Sequence, residues 1–221
     1  MKTLLILVTT FFTSTVFAQV EPGKKPSDFL PEGYVIVEMI NGDLNKDGLE
    51  DCILIIKGTD KRKIINDKYS GELDRNRRGI IILFNKDGRY EMIVRNKDCF
   101  SSENEDGGVY FPPELYVEIE KGNLKVNYGH GRYGHWSYTF RFQNSDFELI
   151  GYDRSNGGAV TNSETSINFL TKRKLEKVNL YKNTEEGHEV FKETWKDIHV
   201  KRLIKLSEIE DFDKLDWSFE N

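Results

Sequence analysis

Alternation with a period of two runs along most of this chain and restricts its fold more than any other feature. It is cleanest over residues 135–142. Trp136, Tyr138, Phe140 and Phe142 fall on one side, and His135, Ser137, Thr139 and Arg141 on the other. Successive side chains of a strand point to opposite faces, so this pattern is a strand with one buried face. Shorter stretches of the same kind lie at 34–39, 52–56, 79–84, 89–94, 115–119, 124–128, 147–150, 165–171 and 174–181. Turn residues punctuate them. Asp87-Gly88 sits between two apolar runs and predicts a hairpin, as do Lys121-Gly122-Asn123 and Asn144-Ser145-Asp146. No segment has the 3.6 period of a long helix. Fourteen Phe, ten Tyr and three Trp suit a β core. The expected fold is all-β with antiparallel sheets, either propeller-blade-like or a sandwich, with few helices. Counted in fours, the strands make about three groups.

Residues 57–78 and 96–113 are charged or polar and punctuated by glycine, and they read as long loops. Residues 190–206 are weakly patterned and would supply two last strands. A charged tail follows, whose Ile209, Phe212, Leu215 and Trp217 are placed to dock on the body.

The first eighteen residues have the form of an export signal. Lys2 gives a positive start, residues 4–12 are mostly apolar but too short to span a bilayer, and Val16-Phe17-Ala18 is a cleavage site before Gln19. Residues 19–221 are then expected to form a single β-rich domain with a charged C-terminal tail, located in the periplasm or outside the cell. No later segment is apolar enough to cross a membrane. The net charge is −5 with 31% charged residues of mixed sign, which is not the basic footprint of a nucleic-acid binder. Cys52 and Cys99 are the only cysteines, and in an exported chain they allow one disulfide or two free thiols.

The segment Asp43-Leu-Asn45-Lys-Asp47-Gly48-Leu49-Glu50-Asp51 carries the most chemistry. Oxygen side chains fall at loop positions 1, 3, 5 and 9, with glycine at 6. A hard cation such as Ca²⁺ takes six to eight oxygens at about 2.3–2.6 Å. Alternate residues of a curled loop converge, and Gly48 permits the turn that brings the Leu49 carbonyl and Asp51 round. Four carboxylates against Lys46 alone favour a cation. An EF-hand would need Glu at position 12, where this chain has Leu54.

With Gly42 before it and an apolar strand after it, this segment resembles the calcium loop of FG-GAP/VCBS-type repeats, which form blades of integrin-α-like propellers. All four side-chain ligand positions match, while the FG and GAP tags are missing. The order of calcium loop, strand, hairpin, polar loop and aromatic strand over residues 34–171 also looks like that of uncharacterised exported bacterial proteins with such a loop. The resemblance implies structural Ca²⁺ held by Asp43, Asn45, Asp47, the Leu49 carbonyl and Asp51. It brings no activity with it.

A second candidate site is the segment holding Tyr128, His130, Arg132, Tyr133 and Trp136. Its rings, hydrogen-bonding groups and glycines suit a sugar or a protein partner. Gly129-His-Gly-Arg-Tyr-Gly134 formally spells a dinucleotide fingerprint, but a strand follows it where that fold needs a helix. Gly-x-Ser-x-Gly and His-Glu-x-x-His are both absent. The expected function is an exported, calcium-stabilised, non-enzymatic binding or structural protein of the cell envelope, with a protein or glycan partner. The alternative is a secreted hydrolase acting on glycans. That reading requires two facing carboxylates in a cleft, one with a raised pKa.

Overall fold

The computed structural model describes residues 25–104, 113–181 and 185–215. The export signal at 1–18 and Trp217 lie outside the described residues. The fold is all-β, with 3-10 turns of three or four residues as its helical parts.

Strands β1 (Tyr34–Gly42), β2 (Asp51–Gly58), β5 (Arg78–Lys86) and β6 (Arg89–Phe100) form one antiparallel sheet in the order β1-β2-β5-β6. Between β2 and β5, the charged stretch makes a small separate hairpin of β3 (Ile64–Asp67) and β4 (Gly71–Asp74). Its base is tied by Asn76, which accepts from the Asp60 amide at 2.9 Å and donates to the Asp60 carbonyl at 3.0 Å. The rest of the chain does not split into further groups of four. Strands β7 (Glu114–Glu120), β8 (Asn123–Gly129), β9 (Gly134–Gln143), β10 (Asp146–Gly157), β11 (Thr161–Asn168), β12 (Arg173–Asn179) and β13 (Phe191–Asp197) form one seven-stranded meander, each pairing with its neighbour in sequence. Residues 190–206 therefore give one ladder strand, plus an isolated bridge between Glu148 and Lys205. Residues 96–100, expected in a loop, extend β6 instead.

The hairpin turns form where expected. Asp87 and Gly88 have φ of 51° and 86°, Lys121 and Gly122 of 53° and 75°, and Asn144 and Ser145 of 52° and 61°. Positive φ at both central residues marks the turn whose twist matches the flanking strands.

The two large sheets share one core. Ile53, Ile55, Ile80, Ile82 and Phe84 of the first pack with Val126, Tyr138, Phe140, Phe147 and Leu149 of the second. The first sheet's other face buries Leu54, Ile56, Ile81 and Leu83 against Phe29. Strands β2 and β5 are thus buried on both sides, which explains their unbroken apolar runs.

The sheet also decides the cysteine question. Cys52 belongs to the cluster on one face and Cys99 to the cluster on the other, and both are free, buried thiols. The disulfide allowed by the sequence is not formed. Burial pushes the Cys52 thiol up to about 11 and the Cys99 thiol higher still, so neither carries thiolate at neutral pH. A thiol reagent is expected to titrate neither cysteine in the native protein and both after denaturation without reductant. Fewer than two thiols in the denatured protein would count against this arrangement.

Candidate metal loop and the aromatic segment

The Asp43–Asp51 loop is closed by its own side chains. Asp43 Oδ1 accepts from the amides of Lys46 at 2.6 Å and Asp47 at 3.2 Å, and Oδ2 from Gly48 at 3.0 Å. Lys46 and Gly48 take left-handed backbone, with φ of 64° and 86°, and this curls the chain round Asp43. Asn45 Oδ1 accepts from the Asp47 amide, and its Nδ2 donates to Asp47 Oδ2, both at 2.9 Å. Asp47 Oδ1 accepts from the Leu49 amide at 2.9 Å. Asp43, Asn45 and Asp47 are thereby linked to one another and to the loop's backbone. The Leu49 amide, the Asn45 side chain and Lys86 together hold the Asp47 carboxyl below its usual range.

Asp51 has a different place. It is fully buried, with Oδ2 accepting from Leu44 N at 2.8 Å and Oδ1 from Asn85 N at 3.0 Å. Burial raises its pKa, and these amides oppose the shift. Asp51 thus links the β1–β2 loop to the end of the β5–β6 hairpin. Leu44 enters the shared core. A Cβ on Gly42 would stand 2.9 Å from Ile119 Cδ1, and one on Gly122 would stand 2.6 Å from Lys46 Cε, so the loop also rests on the β7–β8 hairpin. Three hairpin ends from two sheets meet at this loop.

Among the described residues, no three His, Cys, Asp or Glu side chains stand close enough together to form a metal-holding group. The linked oxygens come from two carboxylates and an amide, a set to which a hard cation would add carbonyl oxygen such as that of Leu49. The neighbouring Asn85/Asp87/Gly88 group is an ordinary turn in which Asn85 Oδ1 accepts from Gly88 N at 2.9 Å.

The aromatic segment divides. Tyr128 is 2% exposed and belongs to the core, stacked on half-buried Trp136 with ring centroids 5.3 Å apart. Its hydroxyl is buried without a hydrogen-bond partner among the described residues, and burial drives its pKa well up. Tyr128 is therefore no part of a ligand surface. Tyr133 is 46% exposed, on the short turn Gly131–Tyr133, with its ring 4.9 Å from that of His130. The Arg132 side chain lies outside the described residues. Two of the five expected residues, Tyr133 and His130, thus meet at the surface.

Two hollows have no counterpart in the local sequence pattern. One, of about 340 Å³, lies on the seven-stranded sheet among His135, Asp153, Ser155, Glu164, Ser166 and Lys177. The other, of about 510 Å³, lies between β6 and the C-terminal segment, where Arg77 pairs with Asp211 at 3.0 Å. The polar positions of β9 were legible as a face. Their partners on β10–β12 depend on register, which no local pattern supplied. Asp51, whose pKa burial raises, lines neither hollow. No helix of the described residues is long and apolar enough to cross a membrane. No family model matches the chain, and no curated protein or solved structure matches it.

Proposed function

We propose that the chain is an exported, calcium-stabilised, non-enzymatic binding or structural protein of the cell envelope, recognising a protein or a glycan. The observation that carries this reading is the position of the Asp43–Asp51 loop. It holds the oxygens of Asp43, Asn45 and Asp47 at the point where the β1–β2, β5–β6 and β7–β8 ends meet. A cation taken by these oxygens and the Leu49 carbonyl would order the loop, while Asp51 ties it from the inside to the β5–β6 hairpin, not as the ligand its spacing predicts. The cation would activate no water. On this reading the four-stranded sheet is one blade-like unit carrying its loop, and the seven-stranded meander is its partner layer.

Ligand that binds only the native state adds RT ln(1 + [L]/Kd), about 2.7 kcal/mol at a hundredfold excess over Kd. The secreted protein is expected to melt at a higher temperature in millimolar Ca²⁺ than in EDTA. Asp47→Ala should remove that difference and still fold. Identical melting curves in Ca²⁺ and EDTA would overturn the calcium reading. Export is tested separately by the mature N-terminus, expected at Gln19 in a periplasmic or extracellular fraction. Recovery of Met1 in the cytosol would overturn it.

A further inference from the structure

We propose that the outer face of the seven-stranded sheet binds a neutral oligosaccharide. This rests on the reading of the chain as a binding protein and is independent of the calcium loop. The register puts two cross-strand rows side by side on this face. One runs His135, Ser155, Glu164, Lys177 and Glu193. The other runs Tyr116, Asn127, Ser137, Asp153, Ser166, Leu175 and Trp195, one residue from each of the seven strands. The opposite face of the same strands is core, with Tyr138, Tyr152 and Ile167 buried.

The hollow has a physical origin. Serines 137, 155 and 166 put short side chains in the middle of the face, while His135, Leu175 and Lys177 stand taller around them. The lining is rich in hydrogen-bonding groups and carries both signs of charge, with Asp153 and Glu164 beside Lys177. Asp153 Oδ1 already accepts from Ser166 Oγ at 2.6 Å, and Lys177 Nζ lies 3.3 Å from Glu164, so the acceptors are held in place. A carboxylate has capacity for about four hydrogen bonds, so Asp153 can take ligand hydroxyls as well. At the two ends of the longer row stand Tyr116 and Trp195, 56% and 54% exposed. The Arg173 guanidinium sits 4.5 Å from the Trp195 ring and braces it. Six strand spacings of ~4.8 Å separate the two rings, roughly 29 Å. Rings at the ends and hydroxyl-binding groups between them suit a chain of sugars, whose apolar faces stack and whose edges hydrogen-bond.

The occupant follows from what the face lacks. Strands β9–β12 are interior to the sheet, paired on both sides. An extended peptide adding itself as a strand needs a free edge, which the hollow on β9–β12 does not offer. A phosphorylated or uronic-acid polymer would meet Asp153 and Glu164, and a polyamine would meet Lys177 and Arg173.

Titration calorimetry on the secreted protein tests this with neutral tetra- to hexasaccharides of hexose and N-acetylhexosamine. Uronic-acid oligomers and spermidine serve as comparators. A neutral oligosaccharide is expected to bind. Asp153→Asn and Trp195→Ala should each weaken it about tenfold with unchanged melting temperature, while Tyr133→Ala leaves it unaltered. No neutral binding at millimolar ligand would overturn the proposal, as would preference for a comparator. Binding lost in Tyr133→Ala but kept in Asp153→Asn would also overturn it, moving the glycan to the Gly131–Tyr133 turn. A Ca²⁺-dependent melting shift without saccharide binding would sink this site and leave the calcium reading standing.

Discussion

Phe212→Ala is expected to destabilise the protein by about 3–5 kcal/mol, the range for emptying a large aromatic site in a core. Phe212 is 3% exposed although it sits in a charged tail with little regular structure. Its ring stacks on Phe100 at 5.1 Å, meets Tyr138 edge-on at 5.1 Å and lies 6.1 Å from Phe140. Those three rings come from both sheets, so Phe212 fills the space between layers. Asn96 secures the segment by donating to the carbonyls of Leu206 at 2.9 Å and Ile209 at 2.6 Å, and Arg77 pairs with Asp211. Urea unfolding should show a lower midpoint at unchanged m-value, and the melting point should fall by roughly 10 °C. A loss below about 1 kcal/mol would mean the tail does not complete the core.

Asp51→Ala should cost about 2–5 kcal/mol in EDTA, where no cation contributes. The carboxylate is the acceptor for two amides, those of Leu44 and Asn85, and an unsatisfied buried amide costs about 1–3 kcal/mol. Asp51→Asn should fall between wild type and alanine, because its side chain has one oxygen for the two amides. The pH dependence has a definite sign. Burial sets the folded pKa above the unfolded one, so the stability linked to this proton is present in acid and is lost as pH rises through the folded pKa. The deficit of Asp51→Ala should therefore be greater in mild acid than at neutral pH. Equal stability of all three proteins in EDTA would show that Asp51 ties nothing together.

Much of the fold was legible where one face of a strand is apolar. The Trp136–Phe142 alternation, the Asp87-Gly88 turn and the apolar runs of β2 and β5 all lie where expected. The sequence pattern places a strand at 165–171, but β11 runs from Thr161 to Asn168, because polar residues on both faces leave no period to measure. Residues 96–98 looked like loop because β6 is an edge strand and shows polar groups to water. The sorting of strands into a four and a seven was not legible, since alternation gives a strand's face and not its neighbour. The sharp turn at Gly48, at φ 86°, lies where the sequence calls for it, while the amides that close the loop on Asp43 were not read from it. That Asp51 would turn inward to serve Asn85, 34 residues away, depended on the packing of a hairpin the loop does not contain.

The meander has a consequence for how the chain acquires its structure. From β7 to β13 each strand pairs with the one synthesised just before it, so every step closes only a short loop. A β protein built this way avoids most of the slow long-range search that sandwiches with crossed connections require. The exception is the seating of the last described segment, where Asn96 meets Ile209 across 113 residues. Both sheets can therefore zip as the chain emerges, but the space Phe212 fills stays open until the 206–215 segment arrives. A chain halted before that segment is expected to hold its strands paired around an unsealed interior.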